Sequence, residues 1–327
     1  MEKKRYLITG GTGFIGSSLV KRLINEGHSV RILDNNFRGS LRRLSNVINK
    51  VELVQGDIRN ETIVRKACEN IESVIHLAFI NGTKFFYTMP EVVLDVGVRG
   101  MLNVIDACIK NNVKELILAS SSEVYQTPPR IPADENVPLC IPDPLNPRYS
   151  YAGSKIISEL IAINYGRKYF DRVVIFRPHN VYGPDMGQDH VIPQFIIRMK
   201  EICHQTHEKK IFFPIQGSGK ETRAFVFIDD FIDGLLLLLE KGKHLSIYNI
   251  GSMEEVSIKQ VAQEIAKYFG REVTIIPGKL LPGSTIRRCP DITKLMSFGY
   301  KPKIKFKEGI KITAKWYDEN GSEITEN

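Results

Sequence analysis

Three glycines at three-residue spacing, Gly10, Gly13 and Gly16, lie in the run Gly10-Gly11-Thr12-Gly13-Phe14-Ile15-Gly16, between a short apolar stretch (Tyr6-Leu7-Ile8) and an amphipathic one. A loop that joins the end of a strand directly to the start of a helix points free backbone amides outward, where they can bind an anion. Gly10 permits the tight turn, Gly13 lets the backbone approach a phosphate, and Gly16 lets helix and strand pack closely. The arrangement suits a dinucleotide pyrophosphate, with Phe14 and Ile15 at the same helix start. A second apolar run, Val30 to Leu33, ends in Asp34, about 20 residues past the loop, where a carboxylate can accept both hydroxyls of a ribose. Such a carboxylate repels a 2′-phosphate, so NAD is the expected cofactor and NADP the less favoured one, with Arg38 close enough to keep NADP open.

Apolar runs near 5–9, 30–34, 51–55, 73–78, 115–119 and 172–176 alternate with helical patterns near 14–26, 60–69, 91–111 and 151–169. Alternation of this kind predicts an α/β chain: a Rossmann-like doubly wound parallel sheet covered on both faces. Beyond Pro178 the pattern is mixed, with helices near 192–203, 230–241, 257–269 and 306–317 and strands near 224–228 and 246–250, which predicts a smaller α/β substrate-binding lobe. The expected division is 1–178 for the cofactor, with 224–252 returning to it, and 179–327 for the substrate. Between them, Thr127 to Arg148 holds seven prolines and little periodicity, an ordered loop over the site. Asp57 and Ile58 follow the third strand, and His76-Leu77-Ala78 ends the fourth; both places are ligand-binding edges of open sheets. Asp57 can accept from an adenine amino group or cap the next helix, and His76 reads as a packed strand-end residue.

A formal charge of +8 raises the question of nucleic acid, but the basic residues are scattered in pairs such as Arg42-Arg43, Lys209-Lys210 and Arg287-Arg288, without the stripe that groove binding needs. The five cysteines are far apart and odd in number, as reduced thiols in a cytoplasm would be. Cys203, His204 and His207 lack a second ligand cluster and read as a polar helix end, so no metal is expected. Leu235 to Leu239 is the most apolar run and is far shorter than the roughly 20 residues of a membrane span. The first strand begins too early to leave room for a signal peptide.

Tyr151 and Lys155 stand four residues apart, adjacent on one helix face. A neighbouring ammonium favours a phenolate, and Lys155 can also hold a nicotinamide ribose. Ser120-Ser121-Ser122 ends the fifth strand and offers a hydroxyl that can share a proton with the phenol.

Taken together, Gly10-x-x-Gly13-x-x-Gly16, Asp34, Asp57, His76-Leu77-Ala78, Ser121, Tyr151-x-x-x-Lys155 and Arg177-Pro178-x-Asn180-x-Tyr182-Gly183-Pro184 resemble the extended short-chain dehydrogenase/reductase family of sugar-nucleotide epimerases, dehydratases and decarboxylases. Thr222-Arg223-Ala224-Phe225 and Arg287-Arg288-Cys289-Pro290-Asp291 agree with it. The resemblance implies a nucleotide-diphosphate sugar as substrate, Tyr151 as the group that takes a proton from its C4 hydroxyl, Ser121 steadying the oxyanion, and a 4-keto intermediate. It also implies that Asn180, Arg223 and Arg287 or Arg288 meet the diphosphate, which suits the planar fork of arginine, and that His179 faces the sugar. The run Ser121-Ser122-Glu123-Val124-Tyr125 resembles that of 4,6-dehydratases and decarboxylases. On the 4,6-dehydratase reading, the first expectation, Glu123 removes the C5 proton from a poorly solvated pocket with a raised pKa, and Ser122 helps the C6 hydroxyl leave.

Asn146-Pro147-Arg148 resembles a run in decarboxylases, which keeps loss of a C5 carboxylate open, as it does 4-epimerisation, elimination to an exocyclic alkene and, from other classes, a non-catalytic NAD-binding regulator or a reductase of a non-sugar ketone. The chain departs from the family at Gly97, where many relatives carry asparagine, at Phe79, at Gln126 and in the run Asn81 to Tyr87. The helices near 91–111 and 151–169 are those through which relatives dimerise, so a homodimer is expected.

Overall fold

The computed structural model describes residues 3–321; the outermost parts of the two expected units, 1–2 and 322–327, lie outside it. In chain order, β1 (Arg5–Thr9), α1 (Phe14–Asn25), β2 (Ser29–Asp34), β3 (Val51–Gln55), α2 (Glu61–Ala67), β4 (Ser73–His76), α3 (Thr83–Thr88), α4 (Pro90–Lys110), β5 (Glu115–Ala119), α5 (Tyr149–Tyr169) and β6 (Arg172–Pro178) come first. Then follow β7 (Val181–Tyr182), α6 (Val191–Gln205), β8 (Lys210–Ile215), β9 (Thr222–Ala224), β10 (Val226–Phe227), α7 (Ile228–Lys241), β11 (Ser246–Ile250) and β12 (Glu255–Ser257). The chain ends with α8 (Ile258–Tyr268), β13 (Glu272–Pro277), β14 (Arg287–Arg288), α9 (Thr293–Met296) and α10 (Phe306–Asn320).

Seven strands form one parallel sheet in the order β11-β6-β5-β4-β1-β2-β3. Because side chains alternate along a strand, neighbouring residues enter opposite cores. Ile8, Ile75, Ile117 and Val174 join Leu19 and Leu23 of α1 and Leu235 of α7. Leu7, Val74, Leu116 and Val173 join Val64 of α2, Val104 of α4 and Ala162 of α5. Burial on both faces explains why these strands read as continuous apolar runs. The strand order reverses between β1 and β4, and the crevice outside their carboxyl ends is where a doubly wound sheet binds its ligand.

The remaining strands form small sheets: β7 with β10, β12-β9-β14, and β8 with β13. The expected strand over 224–228 is therefore two short strands in different sheets, and the helix after it starts at Ile228. Asp229 and Asp230 in its first turn favour that early start against the helix dipole. The six-residue α3 (Thr83–Thr88), where no element was expected from the sequence, falls largely within the run Asn81 to Tyr87. Helix α8 begins with a capping box between Ser257 and Gln260, which satisfies two of the free amides at its start.

Candidate active site

Two cavities meet over the carboxyl ends of the strands and share Gly10, Gly13, Arg38, Leu77 and Phe79. Gly10 has φ +76°, and a Cβ on it would stand 2.7 Å from the backbone nitrogen of Ala78; only glycine allows the loop to pass this close to β4. Asp34 at the end of β2 accepts from the amides of Thr12 at 3.0 Å and Asn36 at 2.9 Å, which fixes its carboxylate in the second cavity beside Asp57, Ile58 and Ala78. Phe14, Ile15 and Gly16 line the first cavity at the start of α1. A glycine cradle facing a helix start, with a carboxylate at the ribose position, fits a dinucleotide.

Asp57 does not cap α2. Asn60 does, accepting from Ile63 at 3.1 Å, while Asp57 is bound by Arg59 and by Asn35. The contact with Arg59 holds its carboxyl below the usual range. Arg38, the residue that kept NADP open, is turned to Asp189 and lies 5.1 Å from the Phe85 ring centroid. With Arg42 and Arg43, which bind Asp185, it ties the loop after β2 to the loop after β7. In the sequence Arg42-Arg43 is only one of several scattered basic pairs, because its partner is more than a hundred residues away.

Ser121, Ser122, Glu123, Tyr151, Lys155, Asn180 and Arg288 all line the first cavity. Ser121 accepts from the Glu123 amide at 3.2 Å and is hydrogen-bonded to the Tyr151 phenol. The ammonium was expected to make that phenol acidic, and the structure reverses this for the chain alone. Burial pushes Tyr151 up to about 12, opposed by the Ser121 hydrogen bond, and burial brings Lys155 down to about 7, opposed by the Glu159 carboxylate. The Lys155 Nζ donates to the Ala119 carbonyl at 2.7 Å and is 5.9 Å from the Tyr151 ring centroid, so it faces the ring and the strand end.

Glu123 departs from expectation in the opposite sense. Despite burial, its carboxyl is held down to about 2 by Arg288, Arg148 and Arg223. Arg288 Nη1 donates to Glu123 Oε1 at 2.8 Å, and Arg148 Nη2 stands 3.8 Å from the same oxygen. The raised pKa expected of a C5 base is therefore absent, because desolvation is outweighed by three guanidiniums. Arg148 Nε is buried without a hydrogen-bond partner among the described residues. Arg223 is lowered to about 10 by burial and by Arg288 and donates to the carbonyls of Thr222 and Thr285.

Two residues expected at the substrate are elsewhere. Arg287 points out, bound bidentately to Glu255 at 2.8 and 2.6 Å, because alternate residues of β14 face opposite sides. His179 is buried against Asn249, at 3.1 Å, and burial lowers it to about 3; it belongs to an internal network with Tyr125 and Arg177. His76, read as packed, is buried on Thr9 at 2.7 Å. Phe79, Phe86, Arg43, Met186 and His190 also line the first cavity. No motif marks them, since each arrives from a loop or a short helical segment, such as α3 for Phe86, whose place is set by packing.

The profile of the NAD dependent epimerase/dehydratase family matches residues 6–251. The chain belongs to this family. It is an NAD-dependent enzyme, and the glycine loop and Asp34 that line the two joined cavities fit such a cofactor. It is 32% identical to a human dTDP-D-glucose 4,6-dehydratase over 97% of this chain and 91% of that one. It is 31% identical to a UDP-N-acetyl-alpha-D-glucosaminuronate decarboxylase of Bacillus cytotoxicus, over 97% and 98%. The crystal structure of Thermus thermophilus UDP-glucose 4-epimerase with NAD is similar at a TM-score of 0.84 and 29% identity, over 96% and 99%. Three reactions thus occur among relatives of this epimerase/dehydratase family member. Among the described residues, no group of three or more His, Cys, Asp and Glu is placed to hold a metal, and no helix is long and apolar enough to cross a membrane.

Proposed function

We propose that this enzyme oxidises a nucleotide-diphosphate sugar to a sugar ketone and that the ring carbon beside the ketone then loses a carboxylate, a decarboxylation of a sugar-nucleotide uronate. The observation that carries this reading is the Arg288-Glu123-Arg148 cluster, of which Glu123 and Arg288 line the first cavity and Arg148 stands against Glu123. With Arg223 behind it, three guanidiniums face one carboxylate, an excess of positive charge with a buried Nε on Arg148 that has no hydrogen-bond partner among the described residues. An arriving carboxylate or diphosphate supplies the missing negative charge.

NAD, when bound on Gly10, Gly13, Gly16, Asp34, Asp57, Ile58, Leu77, Ala78 and Lys155, supplies the acceptor and donor of hydride. Tyr151 takes the hydroxyl proton, helped by the Ser121 hydroxyl. A protonated Lys155 is the chain's own source of the positive charge that stabilises a Tyr151 phenolate. Decarboxylation then needs no base, because carbon dioxide leaves its bonding electrons to be spread into the ketone. A Glu123 held at about 2 suits this step and is a weak base for a C–H proton. Asn180, in the cavity wall, and Arg223 would meet the diphosphate.

The 4,6-dehydration first expected is the second reading, supported by Ser122 in the cavity wall and by the human relative. Incubation of the NAD-loaded enzyme with UDP-glucuronate and, separately, dTDP-glucose separates the two by mass spectrometry. Loss of carbon dioxide from the first supports decarboxylation, loss of water from the second supports dehydration, and an unchanged mass with inverted configuration would mean epimerisation.

We further infer a homodimer through α4 and α5, where Leu94, Ile157 and Leu160 are exposed; a monomeric mass in solution would contradict it. The division at 178, with β11 returned to the main sheet, is our assignment of cofactor and substrate units. The five free cysteines support a cytoplasmic location.

A further inference from the structure

Phe79 stands three residues past the end of β4 and lines both cavities. It lies there because α4 carries no side chain at position 97. A Cβ on Gly97 would stand 2.8 Å from Phe79 Cε2 and 2.6 Å from Ser154 Cβ, closer than packed carbons tolerate, so α4 and α5 approach and the Phe79 ring fills the space beside them. From that place the ring touches both members of the proton-handling pair. The Lys155 Nζ is 4.0 Å from its centroid. The Tyr151 ring meets it edge to face, with centroids 5.0 Å apart and planes at 87°, while Phe86 of α3 stacks on Tyr151 at 4.7 Å and 17°.

An ammonium has three protons to place, and the Ala119 carbonyl takes one of them from Lys155. The face of an aromatic ring attracts a cation, more strongly where water is excluded, and Lys155 is 4% exposed. An aliphatic side chain at 79 fills the volume without that attraction.

We propose that Phe79 is a positioning residue for the reaction: in the room left by Gly97 it holds the Lys155 ammonium on its ring face and braces the Tyr151 ring. The proposal rests on the reading of Tyr151 and Lys155 as the pair that moves the proton. The ionisable groups acting on or acted on by Lys155 are Tyr151 and Glu159 of its own helix and His76 of β4, with Arg177 of β6 paired to Glu159. The Phe79 variants leave every one of these groups unsubstituted, so their contributions stay in place.

The test uses NAD-loaded enzyme carrying lysine labelled with carbon-13 at Cε. The Lys155 resonance is identified by its loss in Lys155→Met and titrated by NMR in wild type, Phe79→Leu, Phe79→Met and Phe79→Tyr. The Lys155 midpoint is expected to fall by about half a pH unit or more in the leucine and methionine variants, since loss of the ring face disfavours the charged form. The tyrosine variant keeps the ring and a midpoint near wild type. Bound NAD stays equal, and on the substrate that is turned over kcat falls about tenfold or more in the aliphatic variants with KM little changed. A midpoint that does not move in a folded leucine or methionine variant overturns the proposal. Because the titration needs no substrate, failure of wild type to decarboxylate a uronate sinks the proposed reaction and leaves this test standing.

Discussion

Arg288 Nη1 binds Glu123 Oε1 at 2.8 Å across 165 residues of sequence, and this contact makes a carboxylate that reads as a base into half of an ion pair. Its carboxyl falls from the ordinary 4.5 to about 2. A group whose folded pKa is depressed binds fewer protons than in the unfolded chain, so its stabilisation is complete above the unfolded value and is lost as pH falls. The stability advantage of wild type over Glu123→Gln is therefore expected to be full above pH about 4.5 and to shrink steadily towards pH about 2. Denaturant midpoints measured down the acid range check this, and a difference independent of pH would refute it.

Tyr151→Phe keeps both ring contacts, with Phe79 and Phe86, and removes only the hydroxyl that Ser121 meets. Turnover should drop by about 100-fold or more, the scale of a lost acid-base group, with NAD content unchanged. Retained turnover in a variant with full NAD would remove the phenol from the mechanism.

Lys155 is lowered by burial from 10.5 to about 7. Between those values the unfolded chain holds more protons than the folded one, so stability rises with pH across that window and the buried lysine is a cost at neutrality. Lys155→Met should raise the melting temperature at pH 7 by about 2 °C or more while abolishing turnover. An unchanged or lower melting temperature counts against the assignment of a strained, desolvated ammonium.

Glu159 is shared by Arg177, at 2.8 and 2.7 Å, and by Ser120, all buried. Glu159→Gln leaves the Arg177 guanidinium without its counter-charge, a loss of about 3 kcal/mol or more in unfolding free energy. It also removes the carboxylate that opposes the lowering of Lys155, so the lysine should titrate below about 7. Calorimetry and lysine NMR read the two effects separately.

Arg38 is held by Asp189 beside Asp34, Phe37 and Gly39 in the second cavity. Asp189→Ala frees the guanidinium to meet a 2′-phosphate, and the affinity ratio of NADP to NAD should rise by about tenfold, equivalent to about 1.4 kcal/mol. Titration calorimetry with both cofactors measures it; an unmoved ratio would show that Asp34 alone sets the preference.

The glycine run, Asp34 and the Tyr151-Lys155 spacing were legible because their meaning is local: a turn, a strand end and a helix face each follow from a few neighbouring residues. The same holds for the inner strands of the parallel sheet, whose apolar runs reflect burial on both faces, whereas the edge strand β3 is half-exposed. His179 and Arg287 show the limit. Both stand in recognisable motifs, yet a one-residue change of side along a short strand sends Arg287 outward and its neighbour Arg288 inward. His179 is drawn instead into the Asn249 network.

The sequence by itself determined the cofactor cradle, the strand and helix alternation and the pair of groups that can move a proton, since each depends on contacts within one or two turns of chain. Tertiary structure alone decided the charge state of Glu123, the reversal of the Tyr151 shift, the lowering of Lys155, the closure of Arg38 onto Asp189 and the seat of Phe79 beside Gly97. Those outcomes depend on burial and on charges brought from distant segments, and electrostatic energy in a water-poor cavity is set by distance in space, which no spacing along the chain encodes.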